Sequence, residues 1–302
     1  MPAASLHALL AHSIDYAGMF PPCSLTLEKA LQNQAEYVRS PATWMLNSFV
    51  LPLEKFDAAA EQLSRFDKKH ALRISALGPK TENAAEFASA FKAIAQTIRS
   101  FKGQHADVVS VPQVEMPLPQ DVDLAGLREA RAFLGDLKLQ LFLETPADAA
   151  EETIALLAQL KEPQFGYKLR TGGVTADAFP SSVQIAGALL AATQQHVPIK
   201  FTAGLHHPLR QFREEVGTKM HGFLNVLGAS VLAAEHHWDE GQIVQMLDDE
   251  RAASFSFDET IFAWREWEMT AERIHARRKF VTSFGSCSFD EPRADLSALS
   301  LL

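Results

Sequence analysis

Leu139-Gln-Leu-Phe-Leu-Glu144 and Phe165-Gly-Tyr-Lys-Leu-Arg-Thr171 are two short runs rich in aromatic and aliphatic residues. Between them Ala150, Ile154, Leu157 and Leu160 recur at the spacing of one face of a 3.6-period helix. A strand, a crossover helix and a second strand make a parallel βαβ unit, because parallel neighbours cannot be joined by a tight turn. Working outward, the same alternation recurs. Further strand-like runs fall at residues 14–20, 44–51, 72–77, 107–111 and 199–204. Phe87, Phe91, Ile94, Ile98 and Phe101 line a helix face, and Ser181 with Gln184 has capping-box spacing.

Seven units, with an eighth expected near residues 223–228, predict a closed (β/α)8 TIM barrel over about residues 10–235. A doubly wound open sheet is the weaker alternative, since no G-x-G-x-x-G turn follows the first strand. The chain therefore divides into a catalytic barrel, 1–235, and a C-terminal α+β extension, 236–302. The extension is read as a hairpin around Asp258-Glu259, a helix from Met269 to Phe280 and a turn-rich tail packed on the barrel.

Composition bounds the function. The 302 residues are 47% hydrophobic and 22% charged, with a formal net charge of −9. That balance argues against general nucleic-acid binding, which needs a basic surface. No apolar run is long enough for a membrane span. The N-terminus lacks the cationic start of a signal peptide. Two widely separated cysteines, Cys23 and Cys287, match neither a disulfide framework nor a C-x-x-C site. The expected setting is cytoplasmic, with a small anionic metabolite as partner. A homodimer through outer helices is compatible with the sequence but not decided by it.

In such a barrel the reactive groups gather at the C-terminal strand ends. Reading those ends yields a ring of Asp15, Asn47, Asp107, Gln113, Glu115, Glu144, Lys168, Arg170, Lys200, Thr202, His206 and His207. Lys168 and Lys200 stand between bulky neighbours, so by the period of two they face the opposite way, into the barrel. Two buried ammoniums on adjacent strands repel, and desolvation adds to this, so one lysine is expected to lose its proton easily. A neutral lysine in a pocket is a nucleophile for carbonyls.

The runs Ile14-Asp-Tyr-Ala-Gly-Met-Phe-Pro-Pro22, Ala106-Asp-Val-Val-Ser-Val-Pro112, Leu137-Lys-Leu-Gln-Leu-Phe-Leu-Glu-Thr145, Tyr167-Lys-Leu-Arg-Thr-Gly-Gly173 and Ile199-Lys-Phe-Thr-Ala-Gly-Leu205 resemble successive strand motifs of the class I aldolase superfamily, deoxyribose-phosphate aldolase type. Leu227-Gly-Ala-Ser230 is similar to the phosphate-side turn of that family's last strand. The resemblance implies a lyase in which Lys168 forms the Schiff base, Lys200 depresses its pKa and Asp107 moves protons with it. Arg170 departs from the family's small hydroxyl residue and suggests a carboxylate or phosphate clamp. Segments 202–208, 221–225 and 284–292 also resemble a bacterial family without an assigned function.

The expected reaction is imine-forming carbon–carbon bond cleavage or formation, needing no cofactor. Lys168, Lys200, Asp107 and Glu144 are its catalytic set; Asp15, Arg170, Thr202, His206, His207, Asn225 and Ser230 bind substrate. Arg170 and His206 are assigned the anionic end, and Ser230 follows from the resemblance. Two alternatives stand beside it. One is a lyase or hydrolase using a divalent metal ion held by Asp15, Glu144, His206 and His207; its Glu144-Thr-Pro run resembles metal-dependent citrate lyase β-subunit barrels. His221 is a further donor on that reading. The other is a non-catalytic ligand-binding barrel. Cys23 is read as packing, Cys287 as part of a turn, and residues 283–292 as a turn or a lid.

Overall fold

The computed structural model describes residues 2–302. Parallel strands β1 (Ile14–Tyr16), β2 (Leu46–Pro52), β3 (Leu72–Leu77), β4 (Val109–Pro117), β5 (Gln140–Glu144), β6 (Phe165–Arg170) and β7 (Ile199–Thr202) follow one another around a barrel. The chain then leaves on a long excursion. It carries the hairpin β8 (Gln211–Arg213) and β9 (Thr218–Met220), then the antiparallel sheet β10 (Phe255–Phe257), β11 (Ile261–Trp264) and β12 (Trp267–Thr270). Strand β13 (Val281–Ser286) returns between β7 and β1 and closes the eight-stranded TIM barrel.

The expected eighth strand is therefore corrected. Residues 223–228 begin a helix, Phe223–His236, whose residues are buried continuously through Ala233. A continuous apolar run does not distinguish a buried helix from a buried strand. The true closing strand is built of Val281-Thr-Ser-Phe-Gly-Ser286, small and polar because its inward positions serve a polar interior. The boundary at 235 consequently falls between the seventh and eighth strands, and the extension contains part of the barrel. Asp258 does sit at a hairpin, where its carboxylate accepts from the backbone N–H of Thr260 and Ile261.

The outer helices form as their periodicity predicts. Ala84–His105 buries Phe87, Phe91, Ile94, Ile98 and Phe101, and its first turn is capped by Asn83. Each fully buried ring contributes about 1.5–3 kcal/mol. Ser181 and Gln184 complete a capping box on Ser182–Gln195. Inside the barrel Gly166 leaves room for Phe142: a Cβ there would lie 2.6 Å from the ring and 2.9 Å from the carbonyl of Pro198. Phe142 thus forms an apolar floor beneath the polar layer.

The excursion is tied to the N-terminal end of the barrel. Ser5 donates through both backbone and side chain to the carbonyl of Asp258, and Arg278 donates to the carbonyls of Ala11 and Thr282. The opposite end is left for the cavity. Among the described residues no helix is long and apolar enough to cross a membrane.

Candidate active site

Lys168 and Lys200 are register partners on β6 and β7, and both enter the barrel. Their cationic heads meet at one carboxylate, Glu115. Lys168 Nζ lies 2.9 Å from Glu115 Oε2 and 2.9 Å from Glu144 Oε2. Lys200 Nζ donates to Glu115 Oε1 and, at 2.7 Å, to Asp15 Oδ2. Phe142 lies beneath, its ring centroid 5.3 Å from Lys200 Nζ.

Every charged group in this layer is paired. Asp15, wholly buried, accepts from Asn47 at 2.7 Å, the Ser48 backbone at 3.1 Å, Gln113 at 3.3 Å and Ser283 of β13 at 2.6 Å. Ser75 donates to Glu115 and accepts from Gln113. Buried charge survives only when paired and hydrogen-bonded in this way.

Burial works against the Lys168 ammonium, but Glu115 and Glu144 outweigh it and hold its pKa above the ordinary lysine value. Burial likewise opposes ionisation of Glu115, and the ammoniums of Lys168 and Lys200 outweigh that, keeping the carboxyl far below its usual range. Glu144 is lowered against burial by Lys168 and then Arg170. The expectation of a depressed Lys168 is thus reversed, because each lysine meets two carboxylates before it meets the other lysine.

The network opens on a cavity of about 640 Å³ at the C-terminal strand ends, lined by Glu115, Glu144, Lys168, Lys200, Arg170 and His206, with Thr202, Lys80, Phe20 and Cys287 around them. Arg170, half-exposed, donates to Glu144 Oε1 at 3.3 Å and keeps an open side toward the cavity. The site combines two buried ammoniums, the carboxylates that pair with them, and cations at the rim.

Several expected members lie elsewhere. Asp107 is exposed before β4, at the N-terminal end of the barrel, and cannot reach either lysine. The carboxylate that bridges the two lysines is Glu115 instead. The sequence ends the fourth run at Pro112, which lacks an N–H; in the structure the β3–β4 register shifts there, and the strand passes the bulge to Pro117. Glu115 then points inward at the strand end.

Asn225 is buried in the helix after β9, bonding the backbone of Arg210, Met246 and Asp249. Ser230 lies in the same helix and donates to the carbonyl of Val226, so the Leu227–Ser230 likeness to a phosphate turn does not hold. His207 pairs with Asp295 at 2.6 Å and docks the C-terminal helix Asp290–Ala298. His206 stays at the cavity, 3.3 Å from Glu291. Ser283 belongs to the closing strand rather than to a lid.

The donors named for the metal alternative each have other partners. Asp15 is spent on Lys200 and four neutral donors, Glu144 on Lys168 and Arg170, and each histidine on its own carboxylate. His221 is turned to the Pro180 carbonyl and Arg210, and burial lowers its pKa to about 4. Among the described residues no group of three or more His, Cys, Asp or Glu side chains is arranged to hold a metal ion.

The sequence matches no protein-family model and no curated protein. Among solved structures it is similar to a type I 3-dehydroquinate dehydratase from Clostridium difficile with covalently modified comenic acid. The identity is 12%, the TM-score 0.37, and the alignment covers 63% of this chain and 75% of that one. The barrel assignment rests on the strand pairing itself.

Proposed function

We propose that the chain is an imine-forming lyase of aldolase type acting on a small anionic carbonyl compound, with Lys168 as the nucleophile. The observation that carries this reading is one buried carboxylate shared by two register-paired lysines at a cavity wall. Of the two, Lys168 is the one paired with Glu144, a partly exposed carboxylate at the cavity wall.

The resting amine is protonated, so the reaction begins with transfer of a proton from Lys168 to Glu144. The neutral amine adds to the carbonyl carbon. The resulting carbinolamine loses its hydroxyl as water, with Glu144 returning the proton, and a cationic imine remains. Glu115, kept ionised by Lys200, lies opposite that cation and stabilises it. When the adjacent carbon–carbon bond breaks, its electron pair moves into the imine nitrogen. Arg170 pairs with the anionic end of the substrate.

A non-catalytic barrel with internal ion pairs is the competing reading, favoured by the saturation of the network. Borohydride reduction in the presence of small 2-oxo acids and aldehydes, read by intact mass, separates the two. The proposal expects one adduct per chain in the wild type and none in Lys168→Ala. A folded wild type that gains no adduct with any of them, while Lys168→Ala and Lys200→Ala change only stability, overturns it.

A further inference from the structure

Cys23 and Cys287 are separated by almost the whole chain, yet their sulfurs lie 2.8 Å apart. Their meeting follows from the closure of the barrel. Cys23 sits in the loop after β1, and Cys287 directly follows β13, which pairs with β1 through Tyr16 and Ser286. The two thiols therefore face each other across the last seam to close. Cys287 is buried and lines the cavity; Cys23 is exposed. Phe20, Pro21 and Pro22, immediately before Cys23, form the adjoining wall of the same cavity.

We infer that Cys23 and Cys287 form a two-electron redox site at the cavity rim, oxidised by hydrogen peroxide to an intramolecular disulfide. The inference does not depend on the imine chemistry. The two thiols have distinct parts. Cys23 is the more exposed of the two, and its thiolate attacks the peroxide oxygen, giving a sulfenic acid and water. Cys287, already in contact, then attacks the Cys23 sulfur. The S–S bond forms, the S–O bond breaks, and the hydroxyl leaves as water with the Cys287 proton. The two thiols together lose two electrons and two hydrogens, and one peroxide becomes two waters.

The environment of Cys287 fits a resolving role. Burial, together with the hydrogen bond it shares with Cys23, pushes its thiol up to about 12, so it is a poor first target for an oxidant. A thiol of such high pKa is also a poor leaving group, so reduction by attack on the exposed Cys23 sulfur should be slow. Once formed, the bond ties the Phe20–Pro22 wall to the end of the closing strand.

The test is peroxide treatment of the full-length protein, followed by denaturing alkylation and peptide mass spectrometry. The expected product is a monomeric chain lighter by two hydrogens, with a Cys23–Cys287 crosslinked peptide that dithiothreitol removes. In Cys23→Ser, Cys287 should stay reduced and open to alkylation after unfolding. In Cys287→Ser, Cys23 should advance to sulfinic and sulfonic acids. Overoxidised Cys23 beside a free Cys287 in the wild type would overturn the assignment. So would two free thiols at peroxide doses that oxidise glutathione.

Discussion

Two buried carboxylates, Glu115 and Asp249, are each held by two cations, and the difference between them separates a site from a brace. Asp249 accepts from Arg251 at 3.1 Å, Arg265 at 2.9 Å and the indole of Trp264 at 3.2 Å. Its guanidiniums reach water, with side-chain exposures of 67% and 35%. Guanidinium does not give up its proton in proteins, so this cluster can only hold the excursion together. Glu115 instead binds two buried ammoniums that are able to give up a proton, and it faces the cavity. Equal charge count therefore yields different chemistry, set by the type of cation and by where the cluster opens.

The sharpest way to break the comparison is to neutralise each carboxylate without changing its shape. Glu115→Gln leaves two buried lysines short of a counter-charge and should cost about 3–5 kcal/mol. Asp249→Asn leaves arginines that are already hydrated and should cost about 1–2 kcal/mol. Urea unfolding measures both. An Asp249 variant as damaging as the Glu115 one would show that the two clusters are the same kind of structure.

Glu144→Gln sharpens the comparison through pH. Lys168 is raised above its ordinary 10.5, so the neutral amine grows with pH and borohydride trapping should climb on the alkaline side. Removing one of its two carboxylates should move that climb to lower pH by about 1 unit. Stability follows the same signs. The Lys168 contribution is complete below its ordinary pKa and lost as pH rises through the folded value. Those of Glu115 and Glu144 are complete above their ordinary 4.5 and lost as pH falls. Maximum stability should span the neutral range, and a Glu144→Gln profile that leaves the trapping curve in place would contradict the ion-pair account of Lys168.

Arg170→Ala tests the rim. The concentration of a 2-oxo acid needed for half-maximal trapping should rise about tenfold, the worth of one charge-assisted hydrogen bond, while that of a neutral aldehyde should stay unchanged. Equal losses for both would remove Arg170 as an anion clamp. The smallest effect belongs to Asp107→Asn, which should shift unfolding by no more than about 0.5 kcal/mol and leave trapping intact, because the residue is exposed at the far end of the barrel.

The regions differ as much in legibility as in chemistry. On β6 and β7 a lysine between bulky residues has one inward direction, so the pair and the barrel interior were readable from a period of two. Glu115 could be placed at a strand end but not given its role, because Pro112 looks like the end of a strand and only the pairing of β3 with β4 discloses a bulge. The closing strand was hidden for the opposite reason. Ser283 and Ser286 are small and polar where a strand pattern would show apolar residues, whereas Phe223 onward shows them in a helix. Asn225, Ser230 and His207 are polar residues in apolar surroundings, and the sequence does not reveal whether such a group is aimed at a cavity or satisfied by backbone and neighbouring side chains. The meeting of Cys23 with Cys287 depends wholly on which strand closes the barrel.

The most direct measurement is the location of the trapped carbon. Wild-type protein reduced with borohydride in the presence of a small 2-oxo acid, digested and sequenced by tandem mass spectrometry, should carry the added mass on Lys168. The label on Lys200 would move the nucleophile to the neighbouring strand, and label confined to exposed lysines such as Lys219, or no label at all, would contradict the imine chemistry.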